Sequence, residues 1–189
     1  MSSSAKVTLF RHAATDWSAV GRFAGKTDLP LSPAGEQSVS SYRERNGMPS
    51  FGHVLVSPLS RAVRTVELLG YENPVCDARL EERDYGEFEG LTTAQIREIR
   101  PGFVIWTDPI PGGETMGAFA GRVDSVVAEL KQLQDGTVLV VAHAHLIRLF
   151  TARWLGLPPE GAALFRSDTL GRTVLGWERE SPVLLAWNA

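Results

Sequence analysis

Two histidines directly follow apolar runs that are typical of buried strands. Arg11-His12 comes after the run from Lys6 to Phe10, and His143 comes after the run from Thr137 to Ala142. Because ligands bind at the carboxyl ends of parallel strands, both histidines can meet at one site although they lie far apart in the chain. A neutral imidazole is a good nucleophile near pH 7, and an adjacent arginine can bind paired phosphate oxygens. The pattern indicates phosphoryl transfer by a histidine.

Such a site also needs a carboxyl group, which protonates the leaving alcohol and later activates the attacking water. The run Glu81-Glu82-Arg83-Asp84 offers three carboxyl groups in one segment. By composition alone this run is typical of a solvated loop. Residue types by themselves do not choose Glu82 over Glu81 or Asp84.

Other chemistries fit the sequence less well. The pair His143-x-His145 could bind zinc, but no acidic or cysteine ligand set stands near it. A cysteine phosphatase needs an arginine six positions after its cysteine, and Glu82 occupies that position relative to Cys76, the single cysteine. No lysine loop of the P-loop type is present. The sequence therefore predicts no metal site and no cofactor.

The elements that position these residues alternate between strands and helices, which predicts an α/β fold with a mostly parallel sheet. Ser32-Pro33 and Ser57-Pro58 both look like an N-cap followed by proline, and Thr92 or Thr93 is expected to cap a short helix. Residues 77–90 and 101–113 are predicted to be loops. The predicted strands are 6–10, 53–57, 74–76, 137–142, 172–178 and 183–187, and the predicted helices are 33–45, 58–69, 93–100, 115–134 and 145–155.

Bulk properties narrow the function classes. The 189 residues suit one domain, residues 1–189, and the formal net charge of -3 comes without a basic stripe, which argues against a nucleic-acid partner. No apolar run approaches the ~18 residues of a membrane span. With a single cysteine and no signal sequence, a cytoplasmic protein is expected.

Four segments, in order, resemble the signature motifs of the histidine phosphatase superfamily, the phosphoglycerate mutase-like proteins. The resemblance spans residues 7 to 148 and is greatest to the small acid phosphatase branch. Its strand-end Arg-His motif places Arg11 and His12, and its Ser-x-x-x-Arg-Ala-x-x-Thr helix places Arg61. The matching segments are VTLFRHAATDWSAVGRFAGKTDLPLSPAGEQ, SPLSRAVRTVELL, RLEERDYGEFEGLT and VVAHAHLIRLF, and PGGETMGAF is similar to a further family segment.

The resemblance implies a three-layer α/β/α fold with a mostly parallel central sheet. It implies that His12 is the nucleophile, that Glu82 is the proton donor, and that Arg11, Arg61 and His143 hold the phosphate. Further contacts to phosphate or substrate are expected from Ser18, Arg22, Ala24, Gly25, Ala144 and His145. The implied reaction is hydrolysis of a small phosphorylated metabolite without a cofactor. The specific substrate and a homodimeric state are left open.

This chain departs from the family pattern at four small residues, one of which is Ser18 in place of an asparagine that often helps to hold phosphate. Ala13 and Ala144 replace glycines, so each adds a methyl group where backbone is expected to approach phosphate, and Ala14 replaces a glutamate. Two alternatives to hydrolysis stay open: mutase-type phosphotransfer and an inactive phosphate-binding module. Retention of the complete set, Arg11, His12, Arg61, Glu82 and His143, argues against the inactive module.

Overall fold

A six-stranded sheet forms the centre of the computed structural model, which describes residues 5–133 and 136–189. The strands are β1 (Lys6–Arg11), β2 (His53–Val56), β3 (Val75–Cys76), β4 (Thr137–Ala142), β5 (Arg172–Glu178) and β6 (Ser181–Ala186). Their order in the sheet is β3-β2-β4-β1-β5-β6, in which the first four strands pair in parallel, β5 pairs antiparallel with β1, and β6 pairs antiparallel with β5. The predicted α/β class with a mostly parallel sheet is confirmed.

Helices cover both faces of this sheet, because the strands alternate their apolar side chains between two cores. On β4, Val138 and Val140 join the core beneath α5 and α6, whereas Leu139 and Val141 join the core beneath α2 and α3. Both strand faces are thus buried, as parallel sheets require. The helices are α1 (Asp16–Ala19), α2 (Pro33–Asn46), α3 (Ser60–Leu69), α4 (Thr93–Ile99), α5 (Met116–Lys131) and α6 (Ala144–Trp154).

The register of the two central strands brings the site residues together. Strands β1 and β4 pair in parallel with Arg11 opposite Ala142, so His12 and His143 leave the sheet side by side. The two imidazole rings lie 5.1 Å apart, centroid to centroid. The expectation that both strand ends meet at one edge is confirmed.

One helix start was predicted wrongly. Helix α3 begins at Ser60, and its N-cap, Leu59, makes no side-chain cap hydrogen bond. The predicted cap, Ser57, instead places its hydroxyl 2.7 Å from Nε2 of His143. The Ser57 hydroxyl therefore bonds a histidine at the end of a distant strand, whereas the local pattern predicted that it caps helix α3.

Other differences between the predicted and the observed elements are small. Helix α6 begins one residue earlier than predicted, with His143 at its N-cap, and α5 ends at Lys131, while the predicted end at residue 134 lies outside the described residues. The loop predicted over 77–90 contains two 3₁₀ turns, Ala78–Leu80 and Gly86–Phe88.

Within the described ranges, no helix is long and apolar enough to cross a bilayer.

Candidate active site

A pocket of about 160 Å³ opens where β1 and β4 end. Most of the residues predicted for the site line it, namely Arg11, His12, Ser18, Arg22, Ala24, Glu82, Ala144 and His145. Sequence reasoning missed four other lining residues: Thr15, Gly21, Phe23 and Tyr85. Phe23 directly follows Arg22, and Tyr85 lies three positions after Glu82, so their proximity to predicted site residues was the available signal.

His12 is held with one ring nitrogen ready to react. Its Nδ1 lies 2.7 Å from the carbonyl oxygen of Ala13. Because a carbonyl only accepts, Nδ1 must carry the proton, and in the neutral ring Nε2 keeps the free lone pair. Burial, followed by the charges of Arg11 and Arg61, holds the pKa of His12 well below 6.5, so the ring is neutral at physiological pH.

The methyl group of Ala13 does not narrow the pocket. Ala13 is fully buried and packs into the core beneath α2 and α3, together with Phe10 and Val141. Its backbone N–H donates to Thr65 Oγ1 at 3.1 Å. The expected methyl group beside the phosphate is therefore present only at Ala144, which lines the pocket.

Arg11 has an unsatisfied donor beside His12. One terminal nitrogen donates to the carbonyl of Ser167, whereas the buried Nε has no partner among the described residues. Burial lowers the pKa of Arg11, and Glu82, the largest opposing influence, raises it. An unpaired guanidinium N–H away from water is costly, so an anion placed here would be stabilised.

Arg61 and His143 form a layer behind the lining residues. Arg61 is 1% exposed, and its terminal nitrogens donate to the carbonyls of Ala24, Gly25 and Thr27 at 3.0–3.1 Å. Its Nε lies 3.3 Å from His143 Nδ1, so Nε2 of a neutral His143 carries the proton and donates to Ser57. Both ring nitrogens of His143 thus have protein partners in this structure.

Gly25 belongs to the same rear layer. A Cβ at this position would lie 2.2 Å from the carbonyl oxygen of Arg83 and 2.4 Å from Glu89 Oε1, so only glycine fits. Its N–H donates to Glu89, and its carbonyl accepts from Arg61. The structure therefore links Gly25 to the orientation of Arg61 and does not place it among the lining residues.

Glu82 lines the pocket at the start of α6. Its Oε1 accepts the N–H groups of Leu146 and Arg83, at 3.0 and 3.1 Å, and its Oε2 accepts that of His145 at 3.0 Å. The carboxylate thus caps a helix whose own N-cap, His143, supplies no side-chain bond. This contact selects Glu82 from the acidic run and aims it at the pocket.

Arg122 on α5 braces the segment that carries Glu82. Its guanidinium donates to the carbonyls of Arg79, Glu81 and Glu82 and forms a two-pronged ion pair with Glu114. A lysine could not make this set of contacts, because they require the planar fork of arginine. The Glu82 backbone is therefore held from behind while its side chain faces the pocket.

Ser18 faces the pocket but is engaged locally. Its hydroxyl donates to the carbonyl of Thr15 and accepts the Thr15 N–H, while the Thr15 hydroxyl accepts the Ser18 N–H. This reciprocal capping starts the short helix α1. The two residues thereby fix the shape of the lip that follows His12.

His143 and His145, whose spacing could bind zinc, have separate partners. His143 bonds Ser57 and Arg61, whereas His145 Nδ1 bonds the hydroxyl of Tyr85. In the described part of the chain, no group of three or more histidine, cysteine, aspartate or glutamate side chains is arranged to hold a metal ion.

The buried histidines predict how stability depends on pH. Burial is the largest cause that holds the pKa values of His12, His143 and His145 well below 6.5. As pH falls below 6.5, these side chains take up protons only in the unfolded chain, so their contribution to stability is complete above 6.5 and is lost below it. Each such proton changes the unfolding free energy by up to about 1.4 kcal/mol per pH unit.

Urea unfolding between about pH 5.5 and 7.5 tests this expectation. His145→Gln should reduce the number of protons taken up on unfolding by up to one, so that the unfolding free energy depends less steeply on pH. Equal slopes in wild type and His145→Gln would contradict the assignment of a neutral, buried His145.

Comparison with known proteins agrees with this geometry. Residues 7–189 match the family model of the histidine phosphatase superfamily (branch 1). An acid phosphatase of Mycobacterium tuberculosis is 34% identical over 176 residues, covering 92% of this chain and 87% of that protein. A probable phosphoglycerate mutase of Salmonella choleraesuis is 33% identical over 163 residues, covering 81% and 76%.

The fold comparison agrees as well. The solved structure of the protein encoded by an open reading frame of Mycobacterium tuberculosis superposes on this chain with a TM-score of 0.91 at 33% identity, covering 97% of this chain and 96% of the other. The predicted phosphoglycerate mutase-like fold is therefore confirmed. The chain belongs to branch 1 of the histidine phosphatase superfamily and is a phosphoric monoester hydrolase.

Proposed function

We propose that this enzyme hydrolyses a small organic phosphate through a phosphohistidine on His12, with Glu82 as the proton donor. The observation that carries the proposal is the His12 ring, whose Nδ1 is bound to Ala13 so that Nε2 is the free nitrogen. Arg11 and Glu82 line the same pocket. An arginine, a nucleophile and a carboxyl group therefore lie around a single small space.

The proposed reaction has two steps. In the first, Nε2 of His12 attacks phosphorus, the ester P–O bond breaks, and protonated Glu82 gives its proton to the leaving oxygen. In the second, the carboxylate of Glu82 takes a proton from water, which attacks the phosphohistidine and releases phosphate. Arg11 neutralises charge on the phosphoryl oxygens in both steps, and Arg61 and His143 support it from behind.

The proposed substrate is a small phosphorylated metabolite in the cytoplasm, and the reaction needs no cofactor. The cations needed for phosphate are arginines, which take the part that Mg²⁺ plays elsewhere. Ser18, Arg22, Ala24, Ala144 and His145 would contact the substrate, because they line the pocket.

Mutase-type phosphotransfer is the second candidate. It is favoured by the relative named as a probable phosphoglycerate mutase and by Arg22, an exposed arginine in the lining with no side-chain partner among the described residues. Hydrolysis is favoured because a mutase must shield its phosphohistidine from water and grip both ends of its substrate. No cation lies between Arg100 and Arg122 to supply a second grip.

An acceptor experiment separates these functions. The enzyme is given 3-phosphoglycerate with catalytic 2,3-bisphosphoglycerate, or p-nitrophenyl phosphate alone, always in the presence of EDTA. Hydrolysis predicts vanadate-sensitive release of phosphate that is faster than formation of 2-phosphoglycerate. Faster isomerisation would establish the mutase, and absence of both reactions would favour a binding module.

A further inference from the structure

One wall of the pocket is aromatic and uncharged. Phe23, Tyr85 and His145 line it, and buried Trp106 packs behind His145, with ring centroids 5.1 Å apart. Phe23 lies 4.7 Å from Tyr85 and 5.7 Å from His145, also between centroids. The remaining reactive lining residues, His12, Arg11 and Glu82, make up a polar half that borders the aromatic half at Glu82, whose Oε2 accepts the His145 N–H.

The aromatic half is held in place before any ligand arrives. The Tyr85 hydroxyl is bonded to His145 Nδ1, so two polar atoms that would otherwise need water are satisfied within the wall. The segment carrying Phe23 is fixed by backbone hydrogen bonds, in which Phe23 N–H donates to Leu91 at 2.9 Å and Gly90 N–H donates to Phe23 at 2.8 Å. Such preorganisation lowers the entropy cost of binding against the rings.

The rings of the aromatic half add no charge to the pocket. Burial, the largest cause in each case, lowers the pKa of His145 and raises that of Tyr85. Arg11 and Glu82, which also line the pocket, are assigned to the phosphate and its ester oxygen in the proposed reaction. The part of a leaving group that lies against Phe23, Tyr85 and His145 would therefore meet uncharged side chains.

We infer that the enzyme takes monophosphates whose leaving group carries an uncharged aromatic ring close to the ester oxygen, with that ring packed against Phe23 and His145. The inference rests on the proposed hydrolysis at His12 and adds the chemical class of the leaving group. Aromatic rings favour offset or edge-to-face contacts with one another, as Phe23 and His145 make at an interplanar angle of 84°, and a ring of the leaving group would pack against them in the same way.

The test uses primary alkyl phosphates, which share one leaving-group chemistry: 2-phenylethyl phosphate, 2-cyclohexylethyl phosphate and O-phosphoserine. Wild type should show kcat/KM for the phenyl ester about fivefold above that for the cyclohexyl ester, and more than about tenfold above that for O-phosphoserine. Phe23→Leu should bring the phenyl-to-cyclohexyl ratio close to one, mainly through KM. Phe23→Tyr, which keeps a ring, should retain the ratio.

Phe51→Leu is the matched control, because Phe51 is a partly buried phenylalanine paired with Tyr71 at 5.7 Å, away from this pocket. It should leave the ratio unchanged. Equal rates for the phenyl and cyclohexyl esters, faster turnover of O-phosphoserine, or an unchanged ratio in Phe23→Leu would overturn the inference. Failure to release phosphate from any ester would refute the proposed hydrolysis itself and not only the choice of leaving group.

Discussion

His12→Ala is expected to lower kcat by at least about 10⁴-fold, the largest effect of any single substitution in this protein. The reason is that His12 directly follows Arg11 and its Nδ1 is bound to the Ala13 carbonyl, which leaves the lone pair on Nε2. His143 uses both ring nitrogens on Ser57 and Arg61, and the ring of His145 belongs to the aromatic wall. His143 could not take over the attack without breaking these contacts.

Rapid quench with phosphate-labelled p-nitrophenyl phosphate measures the same step directly. Wild type should trap label that is labile in acid and stable in alkali, as expected for phosphohistidine, and His12→Ala should trap none. His53→Ala, which alters an exposed histidine on β2, should trap as much label as wild type. Label retained by His12→Ala would move the nucleophile to another residue.

Glu82→Gln should have the second largest effect, and the size should depend on the leaving group. An alkyl alcohol needs protonation as it departs, so hydrolysis of an alkyl phosphate should fall by about 10²–10⁴-fold. The nitrophenolate ion leaves without protonation, so p-nitrophenyl phosphate should lose less than about tenfold in the phosphorylation step. Single-turnover measurements on both substrates isolate that step. Equal losses would remove Glu82 from the acid role.

The free energy of unfolding of Glu82→Gln must be measured as well, because the substitution also changes contacts that hold the start of α6. Glu82 accepts N–H groups with both oxygens, so a glutamine must turn its own amide N–H₂ toward at least one donor. We expect a stability loss of about 1–3 kcal/mol for this mismatch. Continued turnover of p-nitrophenyl phosphate would show that the variant is folded. Glu81→Gln is the neighbouring control and should change neither the leaving-group dependence nor the acid step.

Local patterns in the sequence determined the sheet, the main helices and the place of the reactive histidine. Apolar runs identify β1 and β4, because burial on both faces requires them to be continuous. Since parallel strands end at one edge, the adjacency of His12 and His143 follows from those two runs alone. The family resemblance added Arg61 and Glu82, which have no local signal of their own.

Only the tertiary structure decided what those side chains touch. Ser57 was predicted as a helix cap from its neighbour Pro58, but its hydroxyl bonds His143, which is distant in the chain. Glu82 turned out to cap α6, and Arg61 turned out to hold three carbonyls of the loop after Phe23. The aromatic wall likewise joins Phe23, Tyr85 and His145 from three separate segments. Hydrogen bonds and ring contacts depend on distances between such segments, and no periodicity within one segment contains that information.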